Sequence, residues 1–237
     1  MTGARTDDQL FAELAEVHST LQAIQARHEE TPHRCLRSGA CCQVGLQLPL
    51  MECENIADRL RATRTPAELR AVIRDLKRAF TDDEWNWASS IGDHMCAFYK
   101  DGTGCTVYAF RPSVCRMFGP ILEPDDFCPR ERLSNGRGYV FVQPEVDGVV
   151  ARYYRVLDVY GRKHRKLDKT VYMPAGVLSF LLSPEELQAL RAKTDKKYWR
   201  RETGYRTSFK PSYREGQGRQ TNVKLSFALP SASSKKP

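Results

Sequence analysis

Residues 96–128 read CAFYKDGTGCTVYAFRPSVCRMFGPILEPDDFC, four cysteines at nearly even intervals among residues that turn or break the chain. Asp101-Gly102 and Gly104 predict a tight connection, CTVYAF a short strand, and Arg111-Pro112 a break before a helical turn. Thiols carried on loops and element ends can converge on one point, as metal ligation requires. The expectation is an α+β protein built around a cysteine cluster that includes Cys96, Cys105, Cys115 and Cys128.

Upstream, CLRSGACC at 35–42 adds Cys35, Cys41 and Cys42. Neighbouring side chains usually point apart, so the Cys41-Cys42 pair either serves two centres or divides into one ligand and one packing residue. Cys53 differs from the other seven. Cys53, Ile56, Ala57 and Leu60 fall at i, i+3, i+4 and i+7, which puts Cys53 on the apolar stripe of a helix and predicts packing in place of ligation.

The chain has 237 residues, enough to bury a substantial core without disulfide staples. Its first residues, MTGARTDDQLFAEL, carry no apolar signal-peptide core, and no run of about 18 apolar residues marks a membrane span. A cytoplasmic location is expected, with no membrane partner. Thiols are kept reduced there, so the eight cysteines point to metal or redox chemistry and away from a disulfide framework. No Cys-x2-4-Cys knuckle of the zinc-finger kind is present. Seven thiols also exceed the four that one tetrahedral metal takes, which leaves a second site or spare labile thiols. An iron–sulfur cluster, [4Fe-4S] in the first place, is preferred over zinc because it is less demanding about ligand spacing.

The cysteine pattern resembles the zinc- or iron-chelating cysteine-cluster family (CxxCxxCC, also called YkgJ-like). The residues that carry the resemblance are CLRSGACC, then Gly104-Cys105, Tyr108, Arg111-Pro112, Cys115 and Arg116, with Cys128 beyond them. Ser38 stands where many members have a cysteine of a Cys-x-x-Cys pair. The resemblance implies a metal-chelating role over about residues 33–130. It also implies a distant likeness to flagellin lysine N-methylases, which are linked to an iron–sulfur centre and S-adenosylmethionine, so any enzymatic activity would be that of a protein methylase. No G-x-G-x-x-G loop follows a strand, which argues against a dinucleotide fold.

Four segments are expected around this centre: an amphipathic helix at 1–32, the cysteine-cluster domain at 33–130, a β-hairpin plus basic helix at 131–202, and a flexible basic tail at 203–237. Leu10, Leu14, Val17, Leu21 and Ile24 alternate in steps of four and three, an apolar stripe that needs either the metal domain or a second copy of the chain as partner. Helices are predicted at 50–63, 66–80 and 82–90, the last with Trp85 and Trp87 as anchors. GYVFVQPEVDGVVARYYRVLDVY reads as two strands about Asp147-Gly148. Ser183-Pro184-Glu185-Glu186 is a capping box that starts a helix over about 184–200.

Charge is segregated. Residues 1–150 hold 17 Lys and Arg against 22 Asp and Glu, whereas residues 151–237 hold 20 against 7, a local excess of +13 in a chain of net +8. With Tyr153, Tyr154, Tyr160, Tyr198 and Trp199 interleaved among the cations, RNA or an acidic protein is the expected partner of this half.

Two arginines are candidate site residues. Arg111 reads as a structural group fixing the Arg-Pro turn. Arg116, directly after Cys115, reads as one that offsets the charge of a thiolate centre or holds a substrate anion. His33 and His94 lie two residues from cysteines but read as surface groups. Three functional classes follow: a catalytic or redox centre acting on a protein, a structurally metalled binding module, and a polyanion binder that metal merely stabilises.

Overall fold

Five apolar residues of the first helix, Leu10, Leu14, Val17, Leu21 and Ile24, are 0–3% exposed, which shows that the expected stripe has found its partner. That helix, α1 (Asp7–Glu29), packs against α4 (Ser113–Met117) and α5 (Gln143–Lys163) of the same chain. Burial of each such side chain contributes about 1.5–3 kcal/mol. A tie at one end adds specificity: Asp7, in the first turn of α1, accepts from His164 at 2.9 Å and pairs with Lys163 at 2.9 Å.

The computed structural model describes residues 5–29, 46–80, 96–100, 103–117, 143–164 and 170–194. In these, strand β1 (Gln47–Pro49) leads without a loop into α2 (Leu50–Thr63), which is followed by α3 (Pro66–Arg78). Strands β2 (Tyr99–Lys100) and β3 (Gly104–Cys105) and a 3-10 turn (Tyr108–Phe110) precede α4. After α5 come β4 (Thr170–Tyr172), α6 (Met173–Leu181) and α7 (Pro184–Lys193). The described residues are mostly helical with two small antiparallel pairs, β1 with β4 and β2 with β3, in agreement with the expected α+β class.

Helices α2 and α3 fall where the sequence predicts them. Thr65 caps α3 reciprocally with Glu68, and Pro66 occupies its first turn. The Ser183–Glu186 box starts α7 as expected, although the helix closes at Lys193.

The hairpin about Asp147-Gly148 is not formed, because α5 runs through both residues. Val150, Tyr153, Val156 and Tyr160 are all buried at steps of three and four. Their β-branched and aromatic character suggests strands, but their helical period decides the outcome. Gly148 is exposed and has open space around it, so nothing there forces a turn. CTVYAF likewise gives only the end of β3 before the chain coils into the 3-10 turn. The expected helix at 82–90, the first strand of the expected hairpin at 138–142 and the tail at 203–237 lie outside the described residues.

Strand β4 and helix α6 have no counterpart in the sequence reading. The pair β1–β4 aligns Gln47 with Tyr172 and Pro49 with Thr170, and Met173 N–H donates to Leu46 O at 2.9 Å. Both strands therefore deliver their helices side by side. Residues Met173 to Leu178 of α6 are buried all round, and α6 packs on both α2 and α3. Gly176 permits the close approach: a Cβ there would meet Cys53 Sγ and lie 2.7 Å from Val171 Cγ1. Cys53 is fully buried in this contact, and burial, with the Glu52 charge beside it, pushes its thiol far above the ordinary range. It packs as a neutral thiol.

Gly176→Ala is expected to destabilise the protein by about 1–3 kcal/mol through overpacking, read from denaturant unfolding. Combining it with Cys53→Ala, which frees the space of Sγ, should cost less than the sum of the two single changes. An additive cycle would show that the two sites do not share the contact.

Candidate metal centre

Three of the seven candidate ligands are described, and each sits beside a residue that anchors it. Cys96 opens the turn into β2, where its carbonyl accepts from Tyr99 N–H at 2.8 Å. Cys105 ends β3, paired opposite Tyr99. Cys115 lies in the short α4. Phe98, Val107 and Val114 beside them are buried in the core, while the three cysteines are half-buried.

The chain reverses between β2 and β3 with Thr103 N–H donating to Lys100 O at 3.1 Å. Gly104 has φ of 78°, a conformation that costs a residue with a Cβ but not glycine. The hairpin is held to the end of α2 by Arg64, which donates to Thr106 O at 2.7 Å. Among the described residues no three His, Cys, Asp or Glu side chains are grouped closely enough to hold a metal ion. Cys35, Cys41, Cys42 and Cys128, with His33 and His94, lie outside the described residues.

Both candidate arginines are inside the protein, Arg111 at 4% and Arg116 at 5% exposure. Arg116 donates through Nε to Arg111 O at 3.0 Å and through Nη2 to Ala109 O at 2.9 Å, which staples the 3-10 turn to α4. Its Nη1 donates to Gln22 Oε1 of α1 at 3.0 Å. Arg111 donates from Nη2 to Gln22 at 3.3 Å and to Gln25, and its guanidinium lies 3.8 Å over the Tyr108 ring. Arg111 Nε is buried without a hydrogen-bond partner. Among the described residues no carboxylate forms an ion pair with either guanidinium, so two buried positive charges lie together against amides, carbonyls and a ring. Burial, followed by the like charge of Arg111, holds the Arg116 pKa below its usual value, and Glu52 and Cys115 act in the opposite direction.

A second polar cluster lies under α4. Glu52 of α2 is fully buried and accepts from Ser113 N–H at 2.9 Å. His18 Nε2 is 3.3 Å from Glu52 and 3.0 Å from Ser113 Oγ. Serine, histidine and glutamate are thus grouped, but the same ring nitrogen faces both partners, whereas a nucleophilic relay uses opposite nitrogens. All three are buried, and the cluster is a structural joint of α1, α2 and α4. Sequence reasoning overlooked Glu52. Its signal was a carboxylate on the apolar side of α2, between Met51 and Cys53.

Tyr153 and Tyr160, expected to interleave with cations on a partner-binding face, are core residues. Tyr160 donates to Glu54 and stacks near Phe11 and His164. Tyr198 and Trp199 lie outside the described residues.

Residues 34–129 match the CxxCxxCC family model. Its description is "putative zinc- or iron-chelating domain", and the matched span contains all eight cysteines. No curated protein and no solved structure matches the chain, and the likeness to flagellin lysine N-methylases finds no support in these comparisons. Among the described residues no helix is long and apolar enough to cross a membrane.

The burial of Glu52 acts against its charge, but the His18 charge and the hydrogen bonds from His18 and Ser113 outweigh it, so its folded pKa lies below the ordinary 4.5. A depressed carboxylate stabilises above its unfolded pKa, and that contribution is lost as pH falls through the folded value. Glu52→Gln is expected to cost about 1–3 kcal/mol near neutral pH. Its stability should also decline less steeply than wild type below about pH 4.5, measured by urea unfolding across pH. Parallel acid limbs would show that Glu52 does not carry this dependence.

Proposed function

We propose that residues 34–129 hold a thiolate-ligated metal centre, an iron–sulfur cluster in preference to zinc. Cys96, Cys105 and Cys115 would serve together with Cys35, Cys41, Cys42 and Cys128. The observation that carries this reading is the burial of Arg111 and Arg116, the latter next to Cys115 in sequence, with no ion-paired carboxylate among the described residues. Buried charge is retained only where something compensates it. Metal-bound thiolates are the compensating anions that the neighbouring chemistry can provide.

The family description supports the same reading at the level of zinc or iron. So does the local architecture, in which core residues fix the backbone on either side of thiols that are only half-buried. Iron–sulfur is favoured over zinc by the number of thiols and by the absence of paired knuckles. Such a cluster, when bound, supplies electron-transfer chemistry, and group transfer to a protein substrate is the activity that this reading favours. In this reading the chain's own contribution would be to hold thiols on a hairpin end and a helix, with two fixed positive charges carried by the same short segment.

Anaerobically purified protein is expected to contain iron and sulfide and to show a broad charge-transfer absorbance. Colourless protein with stoichiometric zinc would reject the iron–sulfur preference and keep the thiolate centre. Protein lacking both metals would reject the centre. Cys105→Ser and Cys115→Ser should lose metal and stability together, because metal binding is coupled to folding. Cys53→Ala should keep its metal and cost about 2 kcal/mol or less, as for a small core truncation.

A further inference from the structure

Arg111 and Arg116 bring together three properties. They are buried, they carry like charge, and both are held by Gln22 of the first helix. Amide and carbonyl oxygens accept from them but carry no net charge, so the hydrogen bonds leave the electrostatic cost in place. The one buried carboxylate among the described residues, Glu52, is engaged by His18 and Ser113. Cys115 adjoins Arg116 in sequence, and both lie in the short helix α4.

We infer that Arg111 and Arg116 are positioning residues for the thiolate centre: they neutralise its negative charge, and through Gln22 and Gln25 they couple metal occupancy to the docking of α1. The inference rests on the metal reading above. Its physical basis is reciprocity. If the anionic centre stabilises the buried pair, and the pair is held in place by α1, then metal binding and α1 docking favour one another by the same factor.

The direction of the link is set by geometry. α1 meets the pair through Gln22 and Gln25 and meets α4 directly. α6, in contrast, packs on α2 and α3, and the hydrogen bonds of the pair go to α1 and the 3-10 turn. Metal loss should therefore loosen α1 and α4 while leaving α6 protected.

The test separates charge from hydrogen bonding in the full-length chain. At each arginine, Lys keeps the charge with fewer directed donors, and Gln keeps an amide donor without the charge. Each variant, purified with the metal it retains, is mixed with a chromogenic chelator, and release is followed by absorbance, with folding checked by circular dichroism. Arg111→Gln and Arg116→Gln are expected to release metal about 10–100-fold faster than wild type, the usual scale for groups that support a metal's ligands. Arg111→Lys and Arg116→Lys should release it at close to the wild-type rate. A folded Gln variant that releases metal as slowly as wild type overturns the inference, and so does a Lys variant as fast as Gln.

Wild-type protein that never holds metal overturns the metal reading and this inference together. Metal-loaded wild type whose Gln variants behave like it overturns this inference alone. Should the Gln variants fail to fold, hydrogen exchange on wild type before and after metal removal decides. Faster exchange confined to α1 and α4 supports the coupling, and unchanged exchange in α1 overturns it.

Discussion

The carboxylate of Glu52 joins the parts of the structure on which everything near the candidate centre depends. A fully buried carboxylate costs several kcal/mol in lost hydration and persists only where donors replace the water. Glu52 Oε1 obtains them from Ser113 N–H at the start of α4 and from His18 of α1, at 2.9 Å and 3.3 Å, while the buried Oε2 lies 3.3 Å from the same His18 nitrogen without a hydrogen bond of its own among the described residues. Meeting that requirement fixes where α4 begins, and hence where Cys115 and Arg116 point. It also fixes how α1 passes over α2, and so where Gln22 and Gln25 lie.

The two buried arginines continue the same joint with the opposite sign. Arg116 donates to two backbone carbonyls and Gln22, and Arg111 to Gln22 and Gln25, so the 3-10 turn, α4 and α1 are tied into one unit. Hydrogen bonding is nearly complete there, with Arg111 Nε as the exception, whereas charge balance is not. Unlike Glu52, which faces His18, the pair has no ionic partner among the described residues. A structural role for the turn alone would have been met by neutral donors, at lower desolvation cost.

The sequence revealed most where one physical signal dominated. The α1 stripe, the extents of α2 and α3 and the Ser183 box were readable because periodicity and capping agreed there. Cys53 was readable as core for the same reason. Residues 143–163 misled because Val and Tyr favour strands, whereas the buried positions follow a helical period. The segment 170–182 gave no period at all, since α6 is apolar on every side, and Pro174 and Gly176 looked like breakers. There proline sits in the first turn and glycine admits Cys53, roles that tertiary packing assigns. Near the candidate centre, the placing of Cys96, Cys105 and Cys115 on turns and short elements was legible from the turn signals around them. The clamp formed by Gln22 and Gln25 and the burial of Glu52 were not, because each depends on a helix distant in sequence.

A last consequence concerns how such small elements can present thiols at all. β2 and β3 have two residues each and α4 has five, too short to persist in water without support. They are held by neighbours instead: Arg64 grips the hairpin, Phe98 and Val107 sink into the core, and Glu52 and Gln22 grip α4 and its arginines. The long helices therefore act as a frame, and the cysteine-bearing pieces are carried on it by a few specific contacts. A metal bound to those pieces would cross-link short segments that a few contacts hold, so its binding energy would appear as local order in the hairpin, in α4 and in α1, which α4 meets. The apolar contact of α6 with α2 and α3 lies apart from these pieces and would not require it.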